Sequence, residues 1–468
     1  MAATDRTVEP RTLVQGLGLV DSTTLVMGSM IGSGIFLVSA DIGRQVGSPG
    51  LLILVWLLTA ALTLIAALSY GELAAAMPHA GGQYVYLREA FGPLSGFLYG
   101  WTLFLVIQTG TIAAVAVGFA KFSGVFLPWI SASNRLFEVA GFGLNTQQLV
   151  GMALLILLSA VNCLGIRTGA IIQNVFTVAK TGALVGLIAL GFALGSNPQA
   201  IELNFSNFWR GASFGFEPFR MLAVGMVGAL FAADAWNNVT FTAGEVKNPR
   251  RNLPLSLALG AGAVLALYVL TNFVYLRWLP LDPGIVRAPE DRVATAAVQQ
   301  MLGSGAERIM AFGIMVSTFG CMNGLILAGA RVYYAMARDG LFFRRVAEIH
   351  PRYRTPVASL AVQCVWGCLL TLSGTYSDLL DYVIFAVLLF YMLTIAGLFV
   401  LRRTRPAMER PYRAVGYPWA PALYIVVAGW IELMLLIYKP RYTWPGVAIV
   451  LLGLPVYYFW RRRGTVNG

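Results

Sequence analysis

The sequence predicts an all-α polytopic membrane protein with twelve transmembrane helices, and three observations carry the prediction. The 468 residues are 58% hydrophobic and only 12% charged, with a mean hydropathy of +0.71, far from an ordinary soluble domain. Apolar stretches of the roughly 20 residues needed to cross a hydrocarbon core recur along the whole chain. They fall at 19–44, 49–77, 92–122, 147–166, 170–195, 221–244, 254–279, 307–337, 355–374, 379–401, 417–438 and 443–460. The connections between them, the largest near 123–146, 196–220 and 280–306, are too short to bury a core of their own. Function therefore lies inside the membrane.

Residues 1–18 hold Asp5, Arg6, Glu9 and Arg11 but no short apolar core with a small-residue cleavage site, so they read as a cytoplasmic tail rather than a removable signal. With that orientation most of the 33 Lys and Arg fall in cytosolic loops and in the C-terminal tail at 461–468, which predicts a cell-membrane protein with both termini on the cytoplasmic side. The net charge of +12 is spread over those loops, where it orients the chain and meets anionic lipid. It gives no reason to expect nucleic acid.

The first span is interrupted by Gly28-Ser29-Met30-Ile31-Gly32-Ser33-Gly34. A bilayer offers no water to backbone groups freed by a break, so such a break belongs where the bared groups line a cavity. Close helix packing through Gly28 and Gly32 is the competing explanation. The fifth span places Lys180 at mid-membrane, a position that costs about 2.5–3.5 kcal/mol unless carbonyls or an anion meet the ammonium.

The sixth span repeats the theme of the first in Gly225-Met226-Val227-Gly228-Ala229-Leu230-Phe231-Ala232-Ala233-Asp234-Ala235-Trp236-Asn237-Asn238. Two interrupted helices, each opening a block of five, predict a repeat of 19–195 and 221–401. Because five is odd, the second copy enters the membrane from the opposite side. Spans 11 and 12, at 417–460, stand outside that repeat. Half-helices starting at the breaks direct N–H groups inward, and those ending there direct carbonyls inward. An amino acid zwitterion matches that pattern: its carboxylate accepts from the Gly32, Ser33 and Gly34 amides, and its ammonium donates to carbonyls near Met30, Ile31, Phe231 and Ala232.

Around these backbone groups, Phe231 is placed as an aromatic lid and Trp236 as a wall. Ala233 leaves room in the pocket. Asn237 and Asn238 offer amides to a ligand or to the unwound backbone. Asp234 has three readings: attraction of a cationic group, proton uptake, or pairing with a polar group behind the site. Ser317, Thr318 and Asn323 in the eighth span are candidate partners of Lys180 or of the first break. Pro249 and Pro254 are expected to enforce a turn before span seven, and Glu245 is a candidate inner gate with Arg331 or Arg338.

Cys163, Cys321, Cys364 and Cys368 all fall in apolar stretches without zinc-like or redox spacing, so they read as packing residues. With none in an outer loop, a disulfide-linked extracellular subunit is not expected, and neither is a metal or other cofactor. The motifs of a zinc hydrolase or a serine hydrolase are lacking, which disfavours an enzyme. A channel built from rings of several subunits is disfavoured by a pseudo-symmetric pair of broken helices in one chain.

Gly28 to Phe36 resembles the first-helix motif of the amino acid–polyamine–organocation superfamily. Residues 78–84, 231–238, 244–254 and 410–418 are similar to its L-type amino acid transporter branch, in the expected order and over nearly the whole chain. The resemblance implies the LeuT-type fold with broken helices 1 and 6, and uptake or exchange of neutral L-amino acids by alternating access. It also implies sodium-independent transport, because a lysine at the place of Lys180 lies against the broken first helix where sodium-coupled relatives keep a cation. Asp234 departs from the family pattern, in which a small residue is commoner. A proton-coupled or cationic amino acid or polyamine carrier of the same fold is the alternative.

Overall fold

The structure, a computed structural model, describes residues 13, 15–139, 142–210, 215–373 and 376–464, so most of the two tails lies outside the described residues. The chain runs through α1 (Leu19–Met30), α2 (Gly34–Val46), α3 (Pro49–Ala76), α4 (Gln83–Phe91) and α5 (Pro93–Thr102), then a π-turn at Leu103–Ile107 leads into α6 (Gln108–Ser123). A hairpin of β1 (Arg135–Val139) and β2 (Phe142–Asn145) precedes α7 (Thr146–Cys163), α8 (Ile166–Ala193), α9 (Pro198–Phe205), α10 (Phe216–Ala232) and α11 (Asn238–Phe241). There follow α12 (Pro249–Trp278), α13 (Val293–Leu302), α14 (Ala306–Arg338), α15 (Val357–Ser373), α16 (Tyr376–Thr404), α17 (Trp419–Tyr438) and α18 (Pro440–Gly464). Among the described residues nine helices are long and apolar enough to cross a membrane, and α1 with α2 forms a tenth candidate crossing bent by 40°. The chain is thus an all-helical, multi-pass membrane protein.

Local chemistry fixes many of the boundaries. Proline opens α3, α5, α9 and α12, where its missing N–H would have had no helical partner. Asn145 and Gln148 close a reciprocal capping box at the start of α7, with bonds of 2.9 and 3.0 Å. Gly47, at φ +60°, ends α2 in the left-handed conformation that glycine adopts without strain. One expectation is corrected here: only Pro249 marks the turn before span seven, whereas Pro254 lies inside α12. Placed this early in the helix it removes one hydrogen bond close to the end, where the lattice is least complete.

The sequence also hid short elements. The half-helix α4, the hairpin, α9 and α13 all sit in segments read as connections; each is too short or too polar for the apolar signal of a span.

α10 packs antiparallel on α2 through small residues. A Cβ on Gly34 would lie 2.7 Å from the Ala232 Cβ, one on Gly228 would lie 3.1 Å from Val38, and one on Gly225 would lie 3.1 Å from Val46. Glycine at these crossings lets two backbones approach without a driving force from water. Ion pairs gather at the end of the bundle that carries α4. Buried Glu72 of α3 holds Arg402 at 2.6 Å, Arg410 at 3.3 Å and the Ala414 N–H at 2.7 Å. Arg88 pairs with Asp339, Arg405 with Glu89 at 2.7 Å, and the segment before α1 is zipped onto the end of the sixth span by a Lys247 N–H to Leu17 carbonyl bond of 2.8 Å.

Candidate functional site

The first break falls at Ile31, Gly32 and Ser33, between α1 and α2. The Ile31 N–H still bonds to the Met27 carbonyl at 2.9 Å and the Gly32 N–H turns back to Met30 at 2.8 Å, which ends the helix. The N–H groups of Gly34 and Ile35, the first two of α2, then have no partner within their own helix, while that of Phe36 donates to the Ser33 carbonyl at 3.1 Å. The carbonyls on the other side of the break are met by side chains from three other helices. Lys180 of α8, fully buried, donates from Nζ to the carbonyls of Gly28, Ile31 (2.8 Å) and Ser317 (3.4 Å). Ser317 of α14 donates from Oγ to Ile31 at 3.1 Å and Gly32 at 3.4 Å. The Cys321 thiol reaches the Ser29 carbonyl at 3.0 Å, and Tyr268 of α12 donates to the Met30 carbonyl at 2.9 Å.

Gly28 serves close packing as well, since a Cβ there would overlap Gln173 and Thr177 of α8. Break and packing thus coexist in one motif. Two of the eighth-span candidates point elsewhere. Thr318 bonds to the Ile314 and Met315 carbonyls of its own helix at 2.9 and 3.0 Å, while Asn323 joins Asn162, Gln173 and the Gly169 carbonyl.

The second break runs from Ala233 to Asn237, between α10 and α11. Ala235 sits there at φ +66°, a left-handed backbone that costs a residue with a Cβ about 1–2 kcal/mol. Asp234 accepts from the Tyr391 hydroxyl at 2.6 Å and from the Ala235 N–H. Asn237 donates to Gln83 at 2.9 Å, and Gln83 in turn donates to Thr394 at 3.0 Å, tying the break to α4 and α16. The Trp236 ring lies edge-on to Tyr70, with centroids 4.8 Å apart, and tilted against Tyr391 at 5.1 Å. Phe231 is buried at the end of α10, and Ala233 lines a small cavity with Asp234, Trp236 and Tyr424.

Beyond the break, Glu245 finds its partner. Arg331 donates from Nε to Oε2 at 2.9 Å and from Nη2 to Oε1 at 3.3 Å, with both side chains fully buried, and from Nη1 to the Leu327 carbonyl at 2.6 Å. Arg338 instead lies over the Tyr334 ring at 5.9 Å. Tyr268, Tyr391, Gln83 and Thr394 were not singled out in the sequence. Tyr268, Tyr391 and Thr394 are each one polar residue in an apolar run and Gln83 lies in a loop-like stretch, and the partner of each is remote along the chain. Among the described residues no group of three or more His, Cys, Asp or Glu could hold a metal ion.

Chemically, this is a buried, polar site in which the ends of two broken helices meet. It holds one cation, Lys180, already seated on backbone oxygens, and one acid, Asp234, already hydrogen-bonded.

The family model for amino acid permeases matches residues 17–454. The chain is similar to the mouse (Mus musculus) Asc-type amino acid transporter 1, with 32% identity over 462 residues, 96% of this chain and 82% of the relative. It is similar to the mouse large neutral amino acids transporter small subunit 2, with 30% identity over 96% of this chain and 82% of the relative. The serine/threonine exchanger SteT of Bacillus subtilis (strain 168) is 30% identical over 97% of this chain and 99% of its own length.

Proposed function

The chain belongs to the amino acid permease family, and from that premise we propose that it is a sodium-independent exchanger or facilitator of neutral L-amino acids working by alternating access. The single observation that carries this reading is the seat of Lys180. Its ammonium occupies the carbonyls of Gly28, Ile31 and Ser317, so a fixed charge already stands at the first break where a mobile cation would otherwise be needed. The neutral substrates named for the relatives, large neutral amino acids and serine or threonine, agree with a site that has no uncompensated charge.

In this reading the chain crosses the membrane twelve times, with α1–α2 and α10–α11 as the broken first and sixth crossings. Residues 19–195 and 221–401 form an inverted pair of five-helix repeats, with α17 and α18 appended. The antiparallel crossing of α10 on α2 supports the inversion. Both termini face the cytosol, the side of the Arg-rich ion-pair end. The substrate carboxylate sits at the start of α2, by the Ser33 and Gly34 N–H groups, since that of Gly32 is bonded to Met30, and its ammonium sits near the Ala232 carbonyl, because those of Met30, Ile31 and Phe231 already accept from Tyr268, Lys180, Ser317 and the Asp234 N–H. Phe231 closes over the substrate and Trp236 walls it. The Glu245–Arg331 pair, together with the zipped segment before α1, holds the inner gate shut. Such a carrier needs membrane lipid but no cofactor and no disulfide-linked subunit; three of its cysteines lie half-buried in the spans, and the buried Cys321 caps a carbonyl.

A proton-coupled or cationic-substrate carrier would draw on Asp234. The Tyr391 and Ala235 bonds account for that carboxylate without a cationic ligand. Counterflow in proteoliposomes separates these readings and also excludes a channel. We expect saturable exchange of neutral amino acids that is unchanged when sodium is replaced by choline or when a pH gradient is removed. Uptake that requires sodium, or flux that rises linearly with concentration, refutes the proposal.

A further inference from the structure

Next to the second break lies a cavity for which the zwitterion seat has no use. It is lined by Gln83, Tyr99, Gln108, Asp234, Asn238 and Tyr391, among others, and its volume of about 10 Å³ for a water centre admits roughly one water-sized group. Two of its polar groups lack partners: Nδ2 of Asn238 and the hydroxyl of Tyr99, on side chains only 1% exposed, make no hydrogen bond. The other polar residues are committed. Gln108 donates to the Leu325 carbonyl at 2.8 Å, Gln83 is held between Asn237 and Thr394, and Tyr391 donates to Asp234. A buried donor left without an acceptor is destabilising. Two of them on residues that line one space together with Asp234 mark the place of a polar occupant.

The cavity starts where the apolar wall of the seat stops. Ile112, Val115, Ala235 and Cys321 form one buried cluster, and Cys321 and Val115 lie against Gly32 of the first break. Gln108 is one helical turn from Ile112, and Asn238 is three residues past Ala235. A side chain leaving the seat along that wall ends among these groups.

We propose that this cavity receives the end of the substrate side chain and favours neutral amino acids whose side chain both accepts and donates, a hydroxyl or a carboxamide. The inference rests on the reading that the substrate backbone sits at the two breaks. The ligand oxygen accepts from Asn238 Nδ2 and the Tyr99 hydroxyl, while its O–H or N–H donates to Asp234. A methyl-ended isostere leaves both donors unmet and adds nothing to Asp234, which keeps only its existing bonds. An ammonium or guanidinium satisfies Asp234 but has no lone pair for the two donors, so the same geometry disfavours cationic side chains.

The test is competition of counterflow by three near-isosteric pairs of increasing length: threonine and valine, asparagine and leucine, glutamine and methionine. In at least one pair the polar member should compete at a concentration about tenfold lower or better, as expected where a site hydrogen-bonds the group. Asn238→Leu and Tyr99→Phe should each bring that ratio to within about twofold of unity by removing one donor. Tyr99→Phe loses a single hydroxyl and keeps the test sound if Asn238→Leu does not insert. Equal competition within all three pairs overturns the inference, and so does a preference that survives both variants. Exchange of none of the six amino acids would sink the carrier reading itself, and this inference with it.

Discussion

The two breaks are held open in different ways. At the first, side chains of α8, α12 and α14 bond to backbone oxygens: Lys180 to Gly28 and Ile31, Ser317 to Ile31 and Gly32, Tyr268 to Met30. At the second, the break's own side chains make the links, Asp234 to Tyr391 and Asn237 to Gln83, with Trp236 packed between Tyr70 and Tyr391. Contacts to backbone hold a shape whatever residue occupies the break, whereas contacts between side chains change with a single substitution. In the proposed reading the first break is a fixed anchor for the constant part of a substrate. On the same reading the second, with its strained Ala235 and two unpartnered donors nearby, is where substrate preference and movement would be set.

The largest expected effect sharpens that contrast at the inner end of the sixth span. Arg331→Met leaves Glu245 buried without its partner and should cost about 3–5 kcal/mol of stability in detergent. The double change Glu245→Leu with Arg331→Met should regain most of it, because no lone charge remains. Equal loss in the single and double variants would mean that packing, not the ion pair, holds this region.

Lys180→Ala comes next. The Gly28 and Ile31 carbonyls lose a charged donor, a bond worth about 1.5–3 kcal/mol, and exchange should fall about tenfold to a hundredfold while the protein still inserts, checked by its elution as a single folded species. Unchanged kinetics would break the distinction between anchor and variable site. Asp234→Asn is expected to do less, since an amide oxygen still accepts from Tyr391: exchange of alanine and leucine should stay within about threefold, the worth of weakening one hydrogen bond. Loss confined to arginine would instead move Asp234 into the cationic reading.

The smallest effect lies outside the membrane. Burial pushes the Glu89 carboxyl up, but hydrogen bonds and charges from Arg405 and Arg88 outweigh it and hold it below the ordinary carboxylate range. A group depressed in the folded state stabilises above its unfolded pKa of about 4.3 and loses that contribution as pH falls through the folded value. The melting temperature of Glu89→Gln should therefore lie slightly below that of the parent at pH 7, by about 1 kcal/mol or less in stability. The gap should close below roughly pH 4, and a gap that widens on acidification contradicts the assignment.

The costly features were legible in the sequence because the bilayer makes them costly. Glycines at the centre of an apolar run, Lys180 and Asp234 each demand an explanation that a soluble protein would not require, and they led to both breaks. Their partners were not legible. Tyr268 and Tyr391 are ordinary tyrosines in apolar helices until the fold brings them against Met30 and Asp234, and Gln83 sits in a loop-like stretch that turns out to open α4. Glu432, a buried carboxyl in α17, also passed unnoticed, since one acid in a strongly hydrophobic span leaves the span's signal intact. Span boundaries fared better than connections, because hydropathy reports length in lipid and says little about a short helix or hairpin at its surface.

The central claim is that peptide groups freed by two unwound helices seat the charged ends common to all amino acids. It is tested most directly by competing exchange of a transported amino acid with its methyl ester and with its N-acetyl derivative, each of which removes one of those charges and keeps the side chain. The account predicts that both derivatives fail at concentrations where the parent competes fully; competition by either at the parent's concentration would contradict it.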